Sequence, residues 1–126
     1  MKRILVIDDD VQIRQLLKLV LEQAGYEVLD AGDGNEGVRL FRADPTDLVI
    51  TDIIMPEKEG IEIIRELQND FPTVKIIAIS GGGRMAAEDY LKTARRFGVA
   101  RTFTKPFECK ALLEAIQELL SVSVTT

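Results

Sequence analysis

Short aliphatic runs alternate with stretches of helical period five times along this chain of 126 residues. The runs at residues 3–7, 48–51 and 74–79 are nearly continuous in aliphatic side chains, as in strands that are buried on both faces. Weaker runs lie at residues 26–31 and 101–104. Because each parallel strand needs a crossover before the next one, this alternation predicts an α/β fold, a doubly wound sheet of five parallel strands with five helices.

The first helix has signals at both of its ends. Asp10 stands where an N-cap residue belongs, and Gly25 stands where a helix ends on a left-handed residue. The apolar face predicted between them consists of Ile13, Leu16, Leu17, Val20, Leu21 and Ala24. Similar stripes predict a helix after each of the other strands, and the stripe of the fourth helix is Ala87, Tyr90, Leu91 and Ala94.

Composition and length limit the class of protein. Hydrophobic residues make up 46% of the chain and charged residues 29%, which supports a real core and argues against disorder. No apolar run approaches the roughly 20 residues of a membrane span, so we expect no membrane insertion. The single Cys109 rules out an internal disulfide and fits a reducing compartment, so we expect a cytoplasmic chain. A net charge of −5 argues against direct binding of nucleic acid, and the absence of histidine excludes histidine-based catalysis. We expect one domain over residues 1–120 and a tail at residues 121–126.

Polar residues follow four of the five predicted strands. In a parallel sheet the carboxyl ends of these strands share one edge, which is where α/β proteins bind their ligands. The residues are Asp8, Asp9 and Asp10 after the first strand, Asp52 after the third, Ser80 and glycines 81–83 after the fourth, and Lys105 after the fifth. We therefore expect these residues to lie close together at that edge.

Carboxylates that meet at one sheet edge repel each other by about 1 kcal/mol per pair at 4 Å in water. Protons or a cation must neutralise them, and carboxylate oxygens without Cys or His favour Mg²⁺ or Mn²⁺. Lys105 adds an ammonium that can bind a phosphate-like anion. A divalent metal, a lysine and a hydroxyl donor around one carboxylate are typical of phosphoryl transfer, with Asp52 as the nucleophile.

Four motifs at these strand ends resemble the receiver domain of two-component response regulators. They are V-I-D-D at 6–9, D-I-I-M-P at 52–56, I-S-G at 79–81 and K-P-F at 105–107. The resemblance extends from Lys2 to about Leu120. It implies a flavodoxin-like sheet of strand order 2-1-3-4-5 and a phosphorylatable switch of the stand-alone type in a two-component system or phosphorelay.

The resemblance also implies a phosphoacceptor and a metal site. Asp52 matches the phosphoacceptor, and together with the acidic pair Asp8 and Asp9 it matches the residues that bind Mg²⁺ or Mn²⁺. Within the pair, Asp9 matches the direct metal ligand. The backbone carbonyl of Ile54, two residues after the acceptor, matches a further protein ligand.

The remaining matches concern the phosphoryl group and the output. Ser80 matches the Ser or Thr that reports phosphorylation, and Lys105 matches the lysine that contacts the phosphoryl group, before a cis bond to Pro106. The implied donor is the phosphohistidine of a sensor histidine kinase or phosphotransfer protein, or a small acyl phosphate. The chain would catalyse only its own aspartyl phosphorylation and dephosphorylation. The implied output is a changed affinity for a downstream protein, through the fourth helix, fifth strand and fifth helix.

Two features depart from the family pattern. Receivers usually have Tyr or Phe three residues before the lysine, but Thr102 occupies this position, and Phe103 lies one residue on, facing the opposite side of the strand. The segment between Ser80 and Lys105 is also longer than in most receivers, which predicts an altered loop or a longer fourth helix.

Two other functions are open on the sequence. The run Asp8-Asp9-Asp10 weakly resembles the D-x-D motif of haloacid-dehalogenase-type phosphatases, with Asp8 as the nucleophile, although Gln12 stands where that motif prefers a hydroxyl residue. The other function is a receiver-like interaction module that never accepts phosphate, which the altered aromatic position favours. Each motif alone also has a purely structural interpretation, with residues 8–10 as a helix cap and Asp52 as an exposed loop residue.

Overall fold

The computed structural model describes residues 2–53, 60–81 and 92–121. Its strands are β1 (Arg3–Ile7), β2 (Glu27–Ala31), β3 (Leu48–Asp52), β4 (Ile76–Ser80) and β5 (Arg101–Thr104). Its helices are α1 (Val11–Gln23), α2 (Gly34–Ala43), α3 (Gly60–Asp70), α4 (residues 92–96) and α5 (Cys109–Ser121). The predicted sequence of alternating strands and helices is confirmed.

All five strands form one parallel sheet in the order β2-β1-β3-β4-β5. This order confirms the one that the resemblance to receivers implied. The central strands β1, β3 and β4 are almost entirely buried, which explains their continuous aliphatic sequences. The amino ends of the strands lie at one edge of the sheet, the amino edge, and the carboxyl ends at the other, the carboxyl edge.

Three boundaries of β3 and β4 differ from the prediction. β4 begins at Ile76 rather than at residue 74, because the amide of Val74 donates to Phe71 O at 2.9 Å and is part of the turn after α3. β3 and β4 each continue one residue past their aliphatic run, to Asp52 and Ser80. Both residues still pair in register with the neighbouring strand, so their side chains change character while the backbone ladder continues.

The helices cover both faces of the sheet and bury two hydrophobic clusters. Because successive strand residues point to opposite faces, Leu5 and Ile7 pack with side chains of α2, α3 and α4, whereas Ile4 and Val6 pack with those of α1 and α5. The sheet is therefore shielded on both sides. The carboxyl edge holds the candidate site.

The apolar face of α1 is narrower than predicted. Leu17 and Leu21 are fully buried, but Leu16 is 43% exposed and Ala24 is also exposed. The reason is that α1 packs on β1 and β2 at the side of the sheet, where only one narrow stripe of the helix meets the strands. Both predicted end signals are confirmed, since the Asp10 side chain caps the helix and Gly25 has φ +99°.

The predicted stripe of the fourth helix is described only in part. Ala94 is fully buried in α4, whereas Ala87, Tyr90 and Leu91 lie outside the described residues. The predicted lengthening between β4 and β5 lies there too. Over the three described ranges, no helix combines the length and the apolar character that crossing a membrane requires.

Candidate functional site

The carboxyl edge of the sheet brings together residues that are distant in sequence. Asp52 ends β3, Asp8 directly follows β1, and Lys105 directly follows β5. Backbone hydrogen bonds extend the ladders past the strands, because the amide of Asp8 donates to Ala31 O at 3.1 Å and that of Lys105 donates to Ser80 O at 2.9 Å. The sheet itself therefore sets where these side chains begin.

The ammonium of Lys105 lies between two buried carboxylates. Its Nζ is 2.9 Å from Asp8 Oδ2 and 3.0 Å from Asp52 Oδ2. Asp8 and Asp52 are 1% and 5% exposed, whereas Asp9 is exposed. The interpretation of Asp52 as an exposed loop residue is therefore wrong. The predicted convergence is confirmed, and the Lys105–Pro106 bond is cis, as the resemblance implied.

Burial and neighbouring charges shift the pKa values of Asp8 and Lys105. It raises the pKa of the Asp8 carboxyl, and the neighbouring charge of Asp52 adds to the rise, whereas hydrogen bonds from the Asp10 amide and Lys105 oppose it. Burial alone would lower the pKa of the Lys105 ammonium, but the hydrogen bonds and charges of the two carboxylates outweigh it and raise that pKa. Lys105 is therefore a cation at neutral pH, held in place by the two carboxylates.

The donor atoms of the cluster fit a hard divalent cation. One carboxylate oxygen from each of Asp8, Asp9 and Asp52 lies within 4.8 Å of the others. Three carboxylates face one ammonium, so the site carries an excess of negative charge when all are ionised. An all-oxygen set with one exposed ligand suits Mg²⁺, which keeps part of its water shell in proteins. Ile54, whose carbonyl was predicted as a further ligand, lies outside the described residues.

Ser80 supplies a hydroxyl without a partner. It is fully buried, and among the described residues its Oγ is the one buried side-chain polar atom that lacks a hydrogen bond. Leaving such an atom unpaired costs about 1–3 kcal/mol. The hydroxyl is thus a donor that an incoming anion can use. Of the predicted glycines, 82 and 83 lie outside the described residues.

Two glycines allow the elements of the site to approach closely. A Cβ on Gly81 would lie 2.6 Å from Cδ of Lys105, so this glycine leaves room for the lysine stem. A Cβ on Gly60 would lie 2.3 Å from the carbonyl oxygen of Asp52 and 2.5 Å from Cα of Ile53. The sequence reasoning placed Gly60 in the third helix but missed this close approach. Its signal was a glycine at the first position of a helix, where a residue with better helix propensity is usual.

The altered aromatic position is as predicted. Thr102 Oγ1 accepts a hydrogen bond from Nη1 of Arg95 at 3.2 Å, which joins β5 to α4. Phe103 packs on the opposite face of the sheet, where its ring centroid is 6.4 Å from that of Phe107. An inward-turning aromatic side chain at position 102 is therefore replaced by a polar link to α4.

A second contact that the sequence reasoning missed involves Arg14 of α1. Its Nη1 donates to the backbone oxygen of Asp8 at 2.8 Å, and its Nε donates to Asp30 Oδ2 at 3.2 Å. A single arginine one turn into an amphipathic helix carries no sequence signal of such a contact. Only the packing of α1 against β1 and β2 reveals it.

The chain matches the family model for the response regulator receiver domain over residues 4–117. It is 35% identical over 120 residues to the response regulator receiver protein CpdR of Brucella abortus, covering 95% of this chain and 98% of that protein. It is 33% identical over 127 residues to the probable transcriptional regulator ycf27 of Cyanophora paradoxa, covering 94% of this chain and 48% of ycf27. The chain thus spans about half the length of this second relative.

A solved structure shows the same likeness. The response regulator protein TrrA from Thermotoga maritima, in complex with Mg²⁺-BeF, superposes with a TM-score of 0.84 and 35% identity, covering 94% of this chain and 99% of that one. These similarities support a receiver domain and argue against the alternative of a haloacid-dehalogenase-type phosphatase. The chain belongs to the response regulator receiver domain family, whose members are signalling switches that accept a phosphoryl group from a kinase.

Proposed function

We propose that this receiver accepts the phosphoryl group on Asp52, from the phosphohistidine of a sensor histidine kinase or phosphotransfer protein, or from a small acyl phosphate. The observation that carries the proposal is the position of Asp52, a buried carboxylate 3.0 Å from Nζ of Lys105 and part of the cluster with Asp8 and Asp9. Asp8 also contacts Lys105 and belongs to this cluster. The choice of Asp52 as the acceptor is supported by its match to the phosphoacceptor of receivers, the family to which the chain belongs.

In the transfer step, a carboxylate oxygen of Asp52 forms the new bond to phosphorus, and the bond from phosphorus to the donor's leaving atom breaks. Lys105 contributes an ammonium that already lies within hydrogen-bond distance of the acceptor, where it can bind an oxygen of the transferred group. A divalent cation held by Asp8, Asp9 and Asp52 would neutralise charge that develops on the phosphoryl oxygens. The acyl phosphate is later hydrolysed, which ends the signal.

Ser80 supplies the response in this proposal. Its buried hydroxyl gains a hydrogen bond only when a phosphoryl oxygen stands at the end of β3 and β4, so phosphorylation favours a conformer in which this contact is made. Thr104 pairs with Ser80 across β4 and β5, and Thr102 lies two residues earlier with its link to Arg95 of α4. We infer that a downstream protein reads the change through α4, β5 and α5.

The test is intact mass measurement with Mg²⁺ and acetyl phosphate. The wild type should gain one phosphate, and Asp52→Asn should gain none, because the amide cannot form the acyl phosphate. Asp47→Asn, which removes an exposed carboxylate at the amino edge, is the matched control and should label like the wild type. Borohydride reduction and peptide mapping then locate the label.

Two results would contradict the proposal. Labelling of Asp8 instead of Asp52 would make Asp8 the nucleophile. An unlabelled wild type, tested also with phosphohistidine donors, would favour an interaction module that never accepts phosphate, the alternative that the altered aromatic position supports.

A further inference from the structure

Asp8 is held by hydrogen bonds and ion contacts at every polar group. Its amide donates to Ala31 O, its Oδ1 accepts from the Asp10 amide at 2.9 Å, and its Oδ2 lies 2.9 Å from Lys105 Nζ. The fourth contact comes from Arg14, whose Nη1 donates to the backbone oxygen at 2.8 Å. Ala31 belongs to β2, Asp10 caps α1 and Lys105 directly follows β5. Arg14 is instead a side chain from within α1, and it has its own anchor in Asp30.

The oxygen that Arg14 binds belongs to the peptide that joins Asp8 to Asp9. This peptide is planar, so holding its oxygen sets the direction in which the chain leaves Asp8. Asp9 is exposed, and no described residue contributes a hydrogen bond to its carboxylate. The position of that carboxylate therefore depends on its backbone, and Arg14 is the side chain that holds this backbone.

The guanidinium of Arg14 is itself held by Asp30 and confined by Gly32. Asp30 of β2 accepts from Nε at 3.2 Å, and the Arg14 side chain is only 19% exposed. Gly32 lies next to the guanidinium, and a Cβ at this position would lie 3.1 Å from Nη1. The rigid fork of an arginine can serve Asp8 and Asp30 together, whereas the single ammonium of a lysine cannot reproduce both contacts.

We propose that Arg14 is a positioning residue for the metal site. Its guanidinium is anchored by Asp30 and fixes the peptide between Asp8 and Asp9. In this way Arg14 holds the carboxylates of Asp8 and Asp9 where a divalent cation can bind them. The inference rests on the proposed function, because it concerns the same cluster. It adds a residue outside the four receiver motifs, and it predicts how that residue acts.

Charge and geometry predict opposite effects for the loss of Arg14. Removing a positive charge beside an acidic cluster should strengthen the binding of a cation, by Coulomb's law. Losing the orientation of Asp8 and Asp9 should weaken it, and loss of partners that orient metal ligands typically costs about 10–100-fold in metal affinity. The sign of the change therefore separates a positioning residue from a distant charge.

The main experiment measures Mg²⁺ affinity by isothermal titration calorimetry in the whole protein. Arg14→Lys keeps the charge and should weaken Mg²⁺ binding by about tenfold. Arg3→Lys is the matched control, because Arg3 also bridges two acidic residues, Glu27 and Asp44, and is 22% exposed, but lies at the amino edge of the same strands. It should bind Mg²⁺ with the wild-type affinity.

Two further variants keep the test decisive if Arg14→Lys does not fold. Gly32→Ala adds no charge but forces the guanidinium to shift slightly away from position 32, and it should weaken Mg²⁺ binding in the same direction as Arg14→Lys, by a smaller factor. Arg14→Gln should also weaken it. Wild-type affinity in Arg14→Lys, or tighter binding in Arg14→Gln, would overturn the inference.

The failure of this inference differs from the failure of the proposed function. Asp9→Asn should abolish Mg²⁺ binding, and this variant verifies that the measured heat comes from the cluster. If the wild type neither binds Mg²⁺ there nor labels Asp52, the proposed function fails. If the wild type does both and Arg14→Lys matches it in Mg²⁺ affinity, only the role of Arg14 is wrong.

Discussion

The two edges of the sheet place ion pairs in opposite environments. At the amino edge Arg3 pairs with Glu27, whose side chain is 53% exposed. At the carboxyl edge Lys105 contacts Asp8 and Asp52, whose side chains are 2% and 6% exposed. Exposed pairs contribute little to stability, whereas buried charges cost several kcal/mol, roughly, in desolvation unless they are well paired.

This difference shows where the chain gives up stability for chemistry. The strands, the parallel ladder and the aliphatic core are common to both edges, so the fold alone does not require carboxylates in the interior. The carboxyl edge adds buried carboxylates and the unpaired hydroxyl of Ser80. A protein keeps such features where they bind a ligand, and the predictions below test this contrast.

The largest expected effect concerns close packing at the carboxyl edge. Gly60→Ala should lower the free energy of unfolding by about 3 kcal/mol, because the new Cβ meets the backbone of Asp52 and Ile53, which cannot move without shifting β3. Gly25→Ala, at the amino edge, should cost about 1 kcal/mol, since its Cβ meets nothing and only the positive φ is strained. Urea denaturation measures both. Equal costs would show that the two edges are packed alike.

The next effect has the opposite sign. Asp8→Asn should stabilise the metal-free protein by about 1 kcal/mol at pH 7, because the amide removes a carboxylate whose burial is unfavourable. The pKa of Asp8 is raised above its ordinary value of 3.8, so the native state binds more protons than the unfolded state just above that value. The stability of the wild type therefore falls as pH rises through the folded pKa.

The advantage of Asp8→Asn should accordingly be largest at neutral pH and disappear below about pH 3.8, where Asp8 is protonated in both states. Urea denaturation in the presence of a chelator, at pH values from 7 downward, measures it. A variant less stable than the wild type at pH 7 would show that the contacts of Asp8 with Lys105 and Asp10 outweigh its burial.

The smallest effect is expected at the amino edge. Glu27→Gln removes the carboxylate that pairs with Nε of Arg3 at 3.1 Å, and it should change the free energy of unfolding by less than about 0.5 kcal/mol. The change should shrink further in high salt, which screens exposed charges. A cost above that of the carboxyl-edge variants would reverse the comparison.

The fold could be predicted largely from local patterns. Burial on both faces makes a central parallel strand continuous in aliphatic residues, and a helix on a sheet keeps one apolar stripe, so both elements can be recognised in the linear sequence. The width of the stripe was less predictable. Leu16 fits the helical period as well as Leu17 does, and only the place of α1 at the side of the sheet decides which one is buried.

The members of the site could also be named in advance, because residues that follow parallel strands share one edge. Asp8, Asp9, Asp52, Ser80 and Lys105 are all where the sequence pattern predicted them. The order of the strands in the sheet was predicted only from the resemblance to receivers, because hydrophobic periodicity does not show which strands are neighbours. The roles of these residues remain predictions that the labelling experiment tests.

Residue types and their spacing were enough to determine the α/β class and the acidic, lysine-containing edge, because both follow from periods and strand ends that lie along the chain. The burial of Asp8 and Asp52, the unpaired hydroxyl of Ser80 and the contact of Arg14 with the Asp8 backbone were decided by tertiary structure. These depend on distances between elements that are far apart in sequence, and such distances exist only once the helices have packed on the sheet.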